Sequence, residues 1–222
     1  MSVALTGNDL TFSQLYEVAL RGEQVHLAAS SIERMNASRA VVDRLVASGA
    51  TAYGINTGFG KLASVRISTE QVRQLQVNLV RSHSCGVGDS LSEAETRAMM
   101  LLRANALAKG LSGVRPQVVE TLCKMLNAKV HPIIPSQGSV GASGDLAPLA
   151  HLAQVVIGEG HAAFRGELLP GGDAMKRAGI TPVALEAKEG LSLLNGTQGM
   201  LALLSLALHE ADNLVEIGRA HV

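Results

Sequence analysis

The sequence lacks an excess of either charge and is poor in cysteine. Nineteen Lys and Arg residues balance nineteen Asp and Glu residues among the 222 residues, so no basic field is present to attract nucleic acid or an anionic membrane surface. The two cysteines, Cys85 and Cys123, form no C-x-x-C pair, and the first residues lack the charged and then apolar profile of a signal peptide. We therefore expect no nucleic-acid partner and a location in a reducing cytoplasm.

Long apolar runs and metal-binding patterns are missing as well. The longest apolar window, residues 199–208, ends at His209 and Glu210, well below the length that spans a bilayer. The histidines show no metal-ligand spacing, because Asn213 stands where an H-E-x-x-H motif starting at His209 needs its second histidine. We expect neither a membrane span nor a metal site.

Helix signals dominate what is present. Capping-box patterns begin at Ser68 and Ser92, Lys109-Gly110 has the residue types of a helix end, and Pro116 suits the first turn of a further helix. Ala- and Leu-rich segments predict two more helices, one from Ile32 to Val46 after Ser30 and Ser31, and one from Thr197 to about Val215. Strand signals are limited to a short hairpin around Arg165-Gly166 and a short segment over residues 130–134. The pattern predicts a mainly α domain with small β-hairpin elements.

Three glycine-rich or polar segments interrupt the helices, over residues 53–60, 137–145 and 190–197, and loops carry chemistry disproportionately. The first segment is not a phosphate-binding loop, because Ile55 stands where the Walker pattern needs glycine. It is not a dinucleotide fingerprint either, because no apolar strand leads into Gly54. Taken alone, it is interpreted as a flexible turn with a buried tyrosine.

The second segment contains Ala142, Ser143 and Gly144, and it misses the G-x-S-x-G nucleophile elbow because Asp145 occupies the last position. Gly144 has no side chain to obstruct the approach of its nitrogen to the Ala142 carbonyl, and Ser143 has a hydroxyl that can leave. Cyclisation with loss of water would give a ring carrying an exocyclic methylene, an electrophile that no standard side chain supplies. The alternative is a plain loop with Asp145 as the N-cap of a helix and Pro148 in its first turn. Local chemistry alone favours that alternative.

Residues 138–153, GSVGASGDLAPLAHLA, resemble the signature of the aromatic amino acid ammonia-lyase and aminomutase family. The resemblance continues through residues 51–60, Ser82-His83 and residues 188–197, in the family's order. It implies the N-terminal part of a helical ammonia-lyase fold. It also implies that Ala142-Ser143-Gly144 matures autocatalytically into a methylidene-imidazolone group, with no metal and no nucleotide.

The resemblance also assigns roles to single residues. It implies that Tyr53 is the base acting on the substrate β-carbon, that Ser143 becomes the reactive part of the prosthetic group, and that Asn195 contacts the substrate and that group. His83 after Ser82 matches the family members that act on histidine, whereas Phe-Leu is typical of those acting on phenylalanine and His-Leu of those acting on tyrosine. Without the resemblance, Tyr53 is a surface-loop tyrosine, His83 a hydrogen-bonded helix-end histidine and Asn195 a cap or turn residue.

The reaction implied is the elimination of ammonia from L-histidine to give urocanate, by a homotetramer, with helix N-termini aimed at the loop to stabilise developing charge. The alternatives are a phenylalanine or tyrosine ammonia-lyase or aminomutase of the same family, and a non-catalytic helical protein that kept the loop. The discriminating sequence feature is His83.

The length of the chain limits this expectation. Family members are more than twice as long, and their later half supplies a carboxylate-binding arginine, a second tyrosine and a glutamate. We therefore expect little or no turnover by the 222 residues alone. Residues 216–222, EIGRAHV, depart from the family pattern, and a common sequencing-library adapter encodes them together with a stop codon. We expect residues 1–216 to be the lyase part and residues 217–222 to be a non-native tail.

Overall fold

The computed structural model describes residues 2–49, 51–57, 67–140 and 144–220, and it confirms the prediction of a mainly helical chain. The described helices and strands are, in chain order, β1 (Val3–Leu5), α1 (Phe12–Arg21), β2 (Val25–Leu27), α2 (Ala29–Ser48), α3 (Thr69–His83), β3 (Val87–Ser90), α4 (Glu93–Ala108), α5 (Pro116–Ala128), β4 (Val130–Pro132), β5 (Pro135–Gln137), α6 (Leu146–Val156), β6 (His161–Phe164), β7 (Glu167–Pro170), α7 (Gly171–Arg177), α8 (Glu189–Leu194) and α9 (Gln198–Ala220).

The strands are short and form small sheets at the margins of the helices. β6 and β7 form the expected antiparallel hairpin, and β4 extends it. Arg165 and Gly166 form its turn with φ of 54° and 81°, the left-handed conformations that a two-residue hairpin turn requires. The sequence did not predict the other two pairings, the parallel pair β1–β2 and the antiparallel pair β3–β5.

Helix α4 is the centre of the core, and α1, α5 and α9 pack around it. Its start confirms the predicted capping box, since the Glu95 amide donates to Ser92 Oγ (3.3 Å) and the Ser92 amide donates to Glu95 Oε2 (2.7 Å). Most of its middle is buried, for example Met99, Met100 and Leu101. The side chains that leave this part of the helix therefore start from within the core.

Arg97 is a buried charge at the heart of this packing. Its guanidinium donates twice to the Val18 carbonyl of α1 (2.9 and 2.8 Å) and once to the Leu126 carbonyl of α5 (3.0 Å). Carbonyls in the last turn of a helix have no partner within the helix, and the helix dipole makes that end negative. Arg97 therefore ties the carboxyl ends of two helices to α4.

Some predicted helix boundaries are wrong. Helix α2 begins at Ala29, so Ser30 and Ser31 lie inside its first turn rather than ahead of it. Ser31 is buried, and its hydroxyl is satisfied there by donating to the Leu5 carbonyl (3.2 Å). Ser68 precedes α3 as expected, but its side chain makes no capping hydrogen bond. Helix α9 continues past Val215, with exposed side chains, to Ala220.

Within residues 2–49, 51–57, 67–140 and 144–220, no helix combines the length and apolar character needed to cross a membrane. Cys85 is exposed and Cys123 is buried on α5, and both are free thiols, as expected for a loop thiol and a small helix hydrophobe.

Candidate active site

The end of the triplet is paired with the segment that follows α8. Gly144 and Gly196 form a parallel bridge, and the Asp145 amide donates to the Gly196 carbonyl (2.6 Å). Gly144 has φ of 80°, and a Cβ atom on it would collide with the Gly196 carbonyl oxygen. Only glycine fits this position, so the third residue of the triplet is fixed one residue from Asn195 of the facing segment. Ala142 and Ser143 lie outside the described residues.

Asp145 is the N-cap residue of α6, as the alternative interpretation of this loop predicted, but its side chain makes no capping hydrogen bond to that helix. Its backbone precedes α6, but its Oδ2 accepts from the amide of Met200 in the first turn of α9 (3.0 Å). The reason is that α9 begins beside Asp145, and the unpaired amides at the start of a helix attract a carboxylate. Asp145 is buried, and its Oδ1 has no hydrogen-bond partner among the described residues. The N-termini of α6 and α9 therefore both lie at the triplet loop.

Asn195 lies at the carboxyl end of α8, where its amide donates to the Leu191 carbonyl (3.0 Å) and its side chain is exposed. Helix α8 is fixed at its other end by Glu189, which is fully buried. The Glu189 carboxylate accepts from Arg115 Nε (2.9 Å), Arg115 Nη2 (2.7 Å) and the Glu186 amide (2.8 Å). The hydrogen bond to Glu189 raises the pKa of Arg115. This ion pair anchors the helix that presents Asn195.

Arg103 of α4 is a second buried charge that reasoning from the sequence missed. It donates from Nη2 to the Ser192 carbonyl and from Nη1 to Gln198 Oε1 (2.8 Å), and so connects α8 to the start of α9. Burial lowers its pKa to about 10. The only signal in the sequence is a cation inside an otherwise apolar helical stretch, and that signal does not reveal its partners.

The tyrosine segment packs against α8 as well. Tyr53 is 61% exposed, so the expectation of a buried tyrosine is wrong. Gly54 has φ of 73°, and a Cβ atom on it would lie 2.7 Å from Leu191 Cδ2 of α8. Asn56 is buried and secures the turn, since its Oδ1 accepts from the Ala52 amide (2.9 Å). The turn thus brings Tyr53 to the helix that ends at Asn195.

His83 is the last residue of α3, and it makes the helix-end hydrogen bond that one alternative predicted. Its Nδ1 donates to the Leu79 carbonyl (2.9 Å), and the Ser82 hydroxyl donates to the same carbonyl (3.0 Å). Because the carbonyl can only accept, Nδ1 carries the proton of the neutral ring, and Nε2 carries the lone pair. Nε2 makes no hydrogen bond to any described residue, so it remains available to a ligand.

The segment after His83 contacts both sides of the triplet loop. The Gly86 amide donates to His151 Nε2 of α6 (3.2 Å), and the Cα atom of Gly86 lies 3.3 Å from where a Cβ atom on Gly138 would be. Burial lowers the pKa of His151, which favours the neutral ring that this contact needs. His151 thus has a structural contact, with its Nε2 accepting from the backbone. Helix α3 also packs on α6 and α8, so all predicted site residues in the described part lie on adjoining elements.

The helical fold and the loops around Gly144, Asn195 and Tyr53 are those of one class of protein. The family model for aromatic amino acid lyases matches residues 10–221, and the chain belongs to that family. A histidine ammonia-lyase of Geobacillus thermodenitrificans is 52% identical over 212 residues, which are 96% of this chain and 42% of that protein.

Solved structures agree with the fold. The histidine ammonia-lyase of Trypanosoma cruzi matches with a TM-score of 0.88 and 41% identity, over 95% of this chain and 41% of that one. The ergothionase of Treponema denticola, solved with desmethyl-ergothioneine sulfonic acid, matches with a TM-score of 0.93 and 31% identity, over 97% of this chain and 43% of that one. The chain therefore spans about two fifths of the length of the proteins that it matches.

Proposed function

We propose that the chain is the N-terminal part of a histidine ammonia-lyase, the part that bears the prosthetic group. The parent enzyme would eliminate ammonia from L-histidine to give urocanate, the first step of histidine degradation. One observation carries the proposal: Gly144 is held against Gly196, beside the asparagine that the family pattern assigns to the substrate. The 52% identity to a histidine ammonia-lyase supports the choice of substrate.

The described residues fit the methylidene-imidazolone group of this family. Position 144 accepts only glycine, and an unpartnered carboxylate oxygen of Asp145 is buried next to it. Ala142, Ser143 and Gly144 would form the group without metal or nucleotide. When present, the group supplies an electrophile that makes the substrate amine a better leaving group.

The surrounding residues would bind the substrate and move its proton. Tyr53 is exposed on the turn that packs on α8, where it can reach a ligand and accept a β-proton. The N-termini of α6 and α9 bring positive potential to the loop, which favours the negative charge that develops during elimination. Asn195, exposed at the end of α8, would hydrogen-bond the substrate.

His83 distinguishes histidine from the other aromatic substrates. With its Nδ1 proton held by the Leu79 carbonyl, Nε2 can accept a hydrogen bond from the N–H of a substrate imidazole. A phenylalanine ring has no donor to offer, and it would leave that nitrogen unpaired. Phenylalanine and tyrosine lyases and the aminomutases of the same family remain the alternative functions, and they are less favoured.

The whole enzyme would be a cytoplasmic homotetramer. Its remaining length would supply the groups that hold the substrate carboxylate. The 222 residues alone are expected to show little or no turnover, because a substrate without its carboxylate contacts is poorly positioned. Urocanate formation by the chain alone would contradict this expectation.

A chimera tests the proposed activity. Residues 1–216 are joined to the remaining sequence of the Geobacillus relative, and ammonia release is measured with L-histidine, L-phenylalanine and L-tyrosine. We expect turnover of histidine, and a loss of about 10- to 100-fold in kcat/KM for histidine in His83→Leu, because a hydrogen bond to the imidazole is removed. Ser84→Ala is the control, since the Ser84 hydroxyl donates only to the Val80 carbonyl of its own helix (2.8 Å). A preference for phenylalanine or tyrosine would overturn the substrate assignment, and an unchanged histidine preference in His83→Leu would remove His83 from it.

A further inference from the structure

Among the described residues, Arg103 has no acidic partner. It is 5% exposed, its two described hydrogen bonds go to the neutral Ser192 carbonyl and the side-chain amide oxygen of Gln198, and its Nε has no hydrogen-bond partner among the described residues. A buried cation without a carboxylate is costly for stability. Arg97 of the same helix is buried in a similar way and ties two helices together, so the role of Arg103 follows from what its guanidinium contacts rather than from its burial.

The position of the guanidinium points to that role. A Cβ atom on Gly196 would collide with Arg103 Nη1, so the backbone of Gly196 lies directly against the guanidinium. On its other side, the Gly196 carbonyl accepts from the Asp145 amide and blocks any side chain at Gly144. Gly196 is therefore held between the core helix α4 and the last residue of the triplet.

We propose that Arg103 is a positioning residue for formation of the prosthetic group, acting by holding Gly196 where it fixes Gly144. The inference rests on the proposed function. In the cyclisation, the Gly144 nitrogen forms a bond to the Ala142 carbonyl carbon. The carbonyl oxygen leaves as water with the amide hydrogens of Gly144 and Ser143, and a C=N double bond forms between that carbon and the Ser143 nitrogen. Ser143 then loses its α-hydrogen and hydroxyl as a second water, which leaves the methylidene double bond. No oxidant or reductant is required.

Such a ring closure depends on where the attacking nitrogen is held. A misplacement of about 1 Å can slow a reaction between positioned groups roughly 100-fold. Without the guanidinium, the carbonyl of Ser192 and the side chain of Gln198 lose their shared donor, and Gly196 loses the surface that it rests on. The Gly144 nitrogen, which is the attacking atom, would then be held less firmly.

The test measures the intact mass of the chimera of residues 1–216 with the remaining sequence of the Geobacillus relative, because two lost waters report the group without any assay of activity. In Arg103→Met, we expect the dehydrated fraction to fall at least about tenfold relative to the unsubstituted chimera. Arg103→Lys, which keeps the charge but not the two-armed geometry, is expected to give an intermediate fraction. Arg97→Met is the matched control, since Arg97 is a buried arginine of the same helix whose hydrogen bonds go to α1, to α5 and to His131 of β4.

The outcomes separate this inference from the proposed function. Full mass in the unsubstituted chimera would contradict the proposed function itself. Complete dehydration in both Arg103 variants would overturn the role of Arg103 alone. An equal loss of dehydration in Arg97→Met and Arg103→Met, with equal losses of thermal stability, would also overturn it, because the effect would then follow from general destabilisation. Loss in the Arg103 variants with full dehydration in Arg97→Met would support it.

Discussion

Replacing Glu189 by glutamine tests the ion pair that anchors α8. The substitution keeps the size of the side chain and one acceptor oxygen. However, it places an N–H donor where the carboxylate accepts from Arg115 Nη2 (2.7 Å) and from the Glu186 amide (2.8 Å). Arg39, whose Nη1 lies 3.8 Å from Glu189 Oε1, loses part of its counter-charge as well. The variant thus sets one N–H donor against another in a buried site, and it removes the counter-charge of Arg115, while Arg39 keeps its ion pair with Asp43.

The expected loss can be estimated from these contacts. Breaking a buried ion pair by removing one partner costs about 3–5 kcal/mol. Glutamine still accepts one set of hydrogen bonds, and the Arg115 side chain is 29% exposed, so we expect the lower end, about 3 kcal/mol. For a chain of this length that corresponds to a fall in Tm of roughly 6–12 °C. Urea unfolding followed by circular dichroism measures the change, with an unchanged m-value required for the comparison.

Glu186→Gln is the matched control. The Glu186 carboxylate pairs with Arg73, whose side chain is 70% exposed, and such solvent-screened surface pairs contribute little to stability. The Glu186 amide still donates to Glu189 in this variant. If Glu189→Gln cost no more than Glu186→Gln, the claim that the buried pair anchors α8 would be refuted.

The remaining predictions concern the triplet glycine and a buried histidine. Gly144→Ala should lose more stability in thermal unfolding than Gly166→Ala. Both positions have φ near 80°, but of the two only the added Cβ atom at position 144 meets a backbone carbonyl. Equal losses would argue against the tight pairing of Gly144 with Gly196. Burial lowers the pKa of His131 to about 4, below its unfolded value of about 6.5. As the pH is lowered, the unfolded chain therefore binds this proton before the folded chain does. The free energy of unfolding should fall between about pH 6.5 and pH 4, by up to roughly 3 kcal/mol. In His131→Gln, urea unfolding across that pH range should show a smaller loss, and an unchanged pH dependence would exclude His131 as its source.

Local signals predicted local structure well. The Ser92 and Glu95 capping box and the start of α5 at Pro116 depend on residues within one turn, and the structure has both. The pairing of Val3 with Val25 joins two three-residue strands across α1, and neither strand is long enough to show a period of its own. Its formation depends on packing that no short window of sequence contains.

In the candidate site too, the sequence predicted the residues of the motifs but not the contacts between distant segments. The family pattern identified Gly144 and Asn195, and the structure places their segments side by side, while the roles of Tyr53 and His83 stay predictions. The hydrogen bond from the Met200 amide to Asp145 spans 55 residues, and the contacts of Arg103 span 89 and 95. Burial and partners of charged residues are set by the tertiary fold, so the sequence showed these residues but not their function.

The mass of one tryptic peptide tests the central claim most directly. Trypsin cleaves after Lys129 and Arg165, and no Lys or Arg lies between them, so the triplet is contained in the peptide of residues 130–165. We expect this peptide, from the expressed chimera, to be lighter than its sequence by two water molecules, and Ser143→Ala to abolish that loss. A peptide of full mass in the unsubstituted chimera would contradict the claim that Ala142, Ser143 and Gly144 form a prosthetic group.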